Sequence, residues 1–285
     1  MLKPIQLIEC PRDAMQGWKK MIPTTDKISY LNQLLKVGFH TLDFGSFVSA
    51  KAIPQMADTE EVLASLDTTQ CDTRLLAIVA NERGAEKACS FKKINDLGFP
   101  FSVSETFQKR NANSTVAEAF EKVKSIQQLC EAHEKQLVVY LSMAFGNPYG
   151  DPWNEQIVFE WAEKIAGLGV KVLSLADTVG LAHASQVEKM TGFLIEQMKD
   201  ITIGVHLHST SANRIEKLEA AYRTGCKRYD GALKGIGGCP MADDALVGNM
   251  DTEWMIDFFN QKNQHLALNQ NELSAAIKMA EKVFV

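Results

Sequence analysis

The chain has no C-x-x-C pair, although it contains six cysteines (Cys10, Cys71, Cys89, Cys130, Cys226 and Cys239). Scattered thiols of this kind argue against a disulfide framework or a structural zinc knot and fit a reducing cytoplasm. There is no apolar run near the roughly 18 residues that span a bilayer, because charges or glycines interrupt every one. The opening "MLKPIQLIEC" has neither the basic start nor the small-residue cleavage site of an export signal, so a soluble cytoplasmic protein is expected. Basic clusters are short, as in "FKKIND" and "FQKRNAN", and the formal net charge is -5. That balance argues against a nucleic-acid partner, whose phosphates demand clustered Lys and Arg. Neither a Walker loop nor a strand-linked G-x-G-x-x-G occurs, so neither a nucleoside triphosphate nor a dinucleotide is indicated. Pro/Ser-rich linkers and low-complexity tracts are also missing.

What is present is alternation. Short apolar or β-branched runs ("IQLIE", "HTLDFG", "RLLAIVA", "PFSVS", "QLVVYLS", "VKVLSLAD", "ITIGVHLH", "KRYDGAL") recur between longer stretches with helical periodicity. Examples of the latter are "TTDKISYLNQLLKVG", "STVAEAFEKVKSIQQLCEAHEK", "NEQIVFEWAEKIAGLG" and "SANRIEKLEAAYRTG". Thr, Ser and Asn caps open several of them, and Gly38, Gly98, Gly169 and Gly225 are read as following the last turn of four. About eight βα units in 285 residues predict a (β/α)8 TIM barrel, with a doubly wound open sheet as the alternative. The barrel is read as one domain over 1–285, with a C-terminal helical region from about 252 to 285.

In "ITIGVHLHST", side chains two apart face the same way, which brings His206 and His208 together at the carboxyl end of the seventh strand. Active sites of this fold lie at that end. Taken alone, the pair reads more readily as partly exposed or hydrogen-bonded core histidines than as a site. Other strand ends carry comparable groups: Arg12 and Asp13 in "ECPRDAMQ", Asp43 in "TLDFGSFVS", Asp177 in "SLADTVG", and Cys239 and Asn249 in "GIGGCPMADDALVGN". Each acid singly reads as a cap or turn residue. Independent surface acids have no reason to fall at the carboxyl ends of successive strands, so together they indicate a site.

These motifs, in order, resemble those of the 3-hydroxy-3-methylglutaryl-CoA lyase family, divalent-metal lyases of the DRE-TIM type. "PRDAMQ", "SFVSAKAIPQMAD", "SLADTVG", "VHLHST" and "GIGGCPMA…GN" carry the resemblance across nearly the whole chain. It implies a divalent ion on Asp13, His206, His208 and Asn249, with Mg²⁺ or Mn²⁺ favoured and Zn²⁺ or Co²⁺ compatible with the donor types. The implied reaction is retro-Claisen cleavage of 3-hydroxy-3-methylglutaryl-CoA to acetyl-CoA and acetoacetate. His206 is then the base, with Asp177 sharing or relaying the proton, Arg12 stabilises the thioester enolate, and Cys239 on the Gly-rich loop protonates the carbanion. Read without the resemblance, Cys239 is simply a small loop residue.

Gln16, Lys19 and Asn81 are the candidates for contact with the acyl-CoA substrate, and a homodimer is the family-level expectation. Four departures surround this site: Asp43 where the family has Glu, Ser209 after H-x-H where it has Asp, a helix lacking the family's Tyr-Gly start, and a Cys239–Asn249 loop longer by about one residue. They leave open a related enzyme acting on another acyl-CoA or 2-oxo acid, and a barrel that binds acyl-CoA or a partner protein without turnover. The Gly-Gly-Cys loop argues against the Claisen-type synthases, which as a group lack that cysteine.

Overall fold

In the computed structural model, which describes residues 4–238 and 247–285, eight parallel strands close into a barrel. They are Gln6–Glu9, Thr41–Ser46, Arg74–Ile78, Asp96–Ser102, Gln136–Ser142, Val172–Ala176, Thr202–His206 and Arg228–Gly231. Each pairs with its sequence neighbour, and the first closes on the eighth with Ile8 opposite Asp230 and Glu9 opposite Gly231. Closure leaves no open edge, and most of the strands, covered on both faces, read as apolar runs.

The period of two decides which core each residue joins. Leu76, Ile78, Val138, Tyr140 and Val172 fill the barrel interior. Their neighbours Leu75, Ala77, Leu137, Val139 and Leu173 face outward into the larger core between strands and helices. Among the helices are Thr24–Leu35, Glu82–Cys89, Val116–Ala132, Glu155–Gly167 and Arg214–Arg223, and Thr252–Gln261 and Gln270–Val283 follow the barrel. No helix among the described residues is long and apolar enough to cross a membrane.

Helix starts follow the cap residues. Thr115 and Glu118 form a reciprocal capping box, and the Asn154 side chain accepts from the Ile157 amide. At the other ends Gly38, Gly169 and Gly225 take positive φ, as read from the sequence. Gly98 does not. It lies inside the fourth strand, facing the barrel interior, where an added Cβ would stand 2.5 Å from Ile78 Cδ1 and 3.1 Å from Tyr140 Cε2. The missing side chain there is space given to larger neighbours, and the preceding helix ends at Cys89.

One acid fastens the C-terminal helices to the barrel. Glu9, fully buried at the end of the first strand, accepts from the Leu233 amide at 2.8 Å, and its other oxygen lies 2.6 Å from Thr252 Oγ1. Burial pushes its carboxyl up to about 8 against these hydrogen bonds, so it is neutral at pH 7. A group that holds its proton more tightly when folded contributes most below its unfolded pKa of about 4.5, and that contribution is lost as pH rises toward about 8. Glu9→Gln, which preserves the neutral shape, should therefore flatten the fall in urea midpoint between pH 5 and pH 8. An equally steep fall in the variant would show that Glu9 is not the group responsible.

Candidate metal centre

The first strand stops at Glu9 and Pro11 starts the helix Pro11–Gln16 immediately, its missing N–H costing nothing at a first turn. The turn places Arg12, Asp13 and Gln16 together at the carboxyl end of the barrel. Arg12 Nη1 donates to Asp13 Oδ1 and to Gln16 Oε1, both at 2.9 Å, and Gln16 Nε2 donates to Asp13 Oδ1 at 3.1 Å. On its other edge Arg12 Nε donates to Asp43 Oδ1 and Oδ2 at 3.2 and 3.0 Å, with Nη2 on Oδ2 as well. The charged residue within the otherwise apolar second strand is thus the partner of Arg12. Burial alone would lower the Arg12 pKa, but Asp43 and Asp13 raise it, so the guanidinium stays charged.

The seventh barrel strand ends at His206, and the H-x-H run is split between two ladders. His208–Ser209 forms a short antiparallel ribbon with Gly248–Asn249, His208 opposite Asn249. This pairing delivers Asn249 to the barrel mouth from the far side of the Gly-rich loop. The two imidazoles stand edge to face with centroids 5.4 Å apart. Asp13, His206 and His208 each present an atom within 4.8 Å of the others. Asn249 Nδ2 donates to Asp13 Oδ2 at 2.8 Å and to the Ile236 carbonyl at 2.9 Å, while its buried Oδ1 has no partner among the described residues.

The charge states of Asp13 and His208 suit a cation. Burial would raise the Asp13 carboxyl, but Arg12 and the two histidines outweigh it and hold it at about 2. Burial, with the neighbouring His206 and Lys217 charges, drives His208 down to about 3, leaving a neutral imidazole. Burial also works to lower His206, but the Asp230 carboxylate, 3.4 Å from Nδ1, and Asp13 raise it. A carboxylate, two imidazoles and a free amide oxygen at one mouth fit a divalent ion of hard to borderline character.

The remaining candidates are distributed differently. Asp177 is buried, but its Oδ2 accepts from Lys217 Nζ at 2.8 Å and its Oδ1 from the Ala182 amide at 3.0 Å, so Asp230 rather than Asp177 stands beside the His206 ring. Lys19 is exposed on the segment after the first helix. Asn81 caps helix Glu82–Cys89, accepting from the Gly84 amide at 2.9 Å. It also lines a cleft of about 740 Å³ with Ser46, Val48, Arg83 and Lys87. Val48 packs against the inner barrel cluster, so this cleft adjoins the barrel mouth. Cys239 lies outside the described residues. Ser209 is buried, with its hydroxyl 3.6 Å from Met250 Sδ.

Three residues escaped the sequence reading: Asp230, Arg228 and Lys217. The first two sit two apart in "KRYDGAL" and face inward by the same rule that aligned the histidines, so the signal was available. Lys217 lies on an amphipathic helix and looks like any surface lysine.

The sequence profile described as HMGL-like matches residues 5–280. The chain belongs to the HMGL-like family. It is 31% identical over 272 residues to a hydroxymethylglutaryl-CoA lyase of Bacillus subtilis, covering 95% of this chain and 90% of that one. A solved HMG-CoA lyase structure from Bacillus subtilis superposes with a TM-score of 0.92 at 30% identity, covering 99% of this chain and 94% of that one. An HMG-CoA lyase from Acinetobacter baumannii, solved with coenzyme A and 3-methylmalate, gives a TM-score of 0.90 at 29% identity, covering 99% and 91%. The carboxyl transferase domain of Rhizobium etli pyruvate carboxylase shares the fold alone, at 14% identity and a TM-score of 0.75.

His208→Ala removes one imidazole donor outright, which should cost more than the roughly 10–100-fold typical of changes outside the ligand shell. Isothermal titration of metal-stripped protein with Mn²⁺ measures this. An unchanged Kd in a folded variant would remove His208 from the site.

Proposed function

We propose that this chain is a divalent-metal-dependent carbon–carbon lyase that cleaves 3-hydroxy-3-methylglutaryl-CoA to acetyl-CoA and acetoacetate. The observation carrying the reading is the meeting of Asp13, His206, His208 and the free Asn249 oxygen at one barrel mouth, beside a buried, charged Arg12. The similarity to HMG-CoA lyases over nearly the whole chain supports it. Asp13, His206, His208 and Asn249 would hold the ion, with Mg²⁺ or Mn²⁺ favoured, and it would supply Lewis acidity and a template for the substrate's 3-hydroxyl and carboxylate.

The protein's own groups account for the rest. The hydroxyl loses its proton, a carbonyl forms at C3, and the C2–C3 bonding pair moves onto the thioester as an enolate. We assign the proton to the His206–Asp230 pair, in which the Asp230 carboxylate stands 3.4 Å from the ring's Nδ1 and takes up the charge. Asp177, engaged by Lys217, takes no part in this relay. Arg12 is locked in orientation by Asp43, Asp13 and Gln16, which fixes where its positive charge meets the enolate oxygen. Cys239 is the assigned donor to C2, completing acetyl-CoA.

The CoA arm is assigned to the cleft beside Val48, where Arg83 and Lys87 supply cations for phosphates and Phe47 and Met56 supply apolar surface. Asn81 contributes there as a wall of the cleft and the cap of its helix. The Acinetobacter baumannii relative, solved with coenzyme A, supports a CoA-shaped ligand.

Release of acetyl-CoA and acetoacetate from metal-stripped protein should appear only on adding Mg²⁺ or Mn²⁺. Metal binding without release of either product would overturn the substrate assignment. Arg12→Lys retains the charge but loses the planar fork, and kcat should fall by about 10²–10³ with a smaller change in KM. Unaltered kcat would remove Arg12 from the enolate.

A further inference from the structure

The helix Arg214–Arg223 buries a lysine completely. Lys217 is 0% exposed, on a helix face otherwise made of Leu218, Ala220 and Ala221. An ammonium has three protons, and here each meets an acceptor: Asp177 Oδ2 at 2.8 Å, the His208 carbonyl at 2.8 Å and the Gly180 carbonyl at 3.3 Å. Two of these three acceptors are main-chain oxygens. A lysine present only to neutralise Asp177 needs neither.

The acceptors belong to two different segments that meet at the barrel mouth. One is His208, paired in its ribbon with Asn249. The other is the turn from Asp177 to Gly180, closed by the Gly180 amide on the Asp177 carbonyl at 3.0 Å. Gly180 takes a φ of +72° and packs so closely on Val247 that an added Cβ would stand 2.9 Å from its side chain. Val247 is two residues before Asn249. The single ammonium therefore ties together the main chain of one histidine and the turn that supports the approach of the amide.

We infer that Lys217 is a positioning residue of the metal centre, holding the His208 main chain and the Asp177–Gly180 turn at fixed separation so that His208 and Asn249 converge. The inference rests on the metal-centre reading above. It gives Asp177 the role of anchoring Lys217, in place of proton transfer.

The test compares Mn²⁺ affinity, by titration of metal-stripped protein, with urea stability in four proteins: wild type, Lys217→Met, Asp177→Asn and the double variant. Lys217→Met should bind Mn²⁺ about 10–100-fold more weakly, in the range seen when groups outside the ligand shell are lost. Asp177→Asn retains the contact to His208 and should stay within about threefold of wild type. In the double variant no buried charge is left unpaired, so the urea midpoint should recover while Mn²⁺ binding stays weak. Should Lys217→Met fail to fold, Asp177→Asn and the double variant still decide. A folded double variant with wild-type affinity, or an Asp177→Asn variant as weak as the double, overturns the inference and leaves Lys217 a charge partner. Wild-type protein that binds no Mn²⁺ overturns the metal-centre reading itself, and this inference with it.

Discussion

A guanidinium buried at the mouth of a closed barrel organises the site. Arg12 has carboxylates on two sides, Asp43 on the neighbouring strand and Asp13 in its own helix, with Gln16 bridging back to Asp13. Removing any member would strand a charge away from water, which costs far more than an exposed pair contributes. That mutual dependence fixes the first helix against the second strand, and so fixes Asp13 opposite the histidines. Asp43 meets the Arg12 guanidinium directly, through Nε and Nη2.

Much of this architecture was legible in the chain. The strands were readable because a barrel strand is buried on both faces and appears as an apolar run, and the helices because caps and periodicity mark their ends. Asp13 and His206 converge because strand ends meet at one rim, which the order of motifs already implied, while the ribbon of His208 with Asn249 brings in the other two. Gly98 was misread because a glycine after an amphipathic stretch looks the same whether it ends a helix or makes room within a strand. Only the positions of Ile78 and Tyr140 distinguish the two. Asp177 was visible as a strand-end acid, but its engagement by Lys217 depends on a helix 40 residues away, and no local pattern reports such a pairing.

The barrel interior shows a second departure from simple patterning. Its aliphatic cluster of Leu76, Ile78, Val138, Tyr140 and Val172 shares the space with Arg228 and Asp230, both buried and 3.7 Å apart. Arg228 passes over Gly204, where an added Cβ would stand 2.8 Å from its Cγ, so the glycine and the arginine are one packing unit. Asp230, and after it Asp96, counter its charge against the burial that disfavours it. The ion pair links the packed lower barrel to the His206 ring above it.

Buried ion pairs of this kind are weak evidence for stability, since apolar substitutes of similar volume often do as well or better. Their value here is directional. Asp230 presents a carboxylate to one nitrogen of His206, and a carboxylate in that place sets the tautomer and orientation of an imidazole. Lys217 supports the His208 main chain, while Arg12 orients Asp13. Asp13, His206 and His208 thus each rest on a buried ionic group, and Asn249 on the ribbon with His208. A site assembled from three separate chain segments gains rigidity from these charges that loop packing alone does not supply, and this accounts for spending so many buried charges on one rim of the barrel.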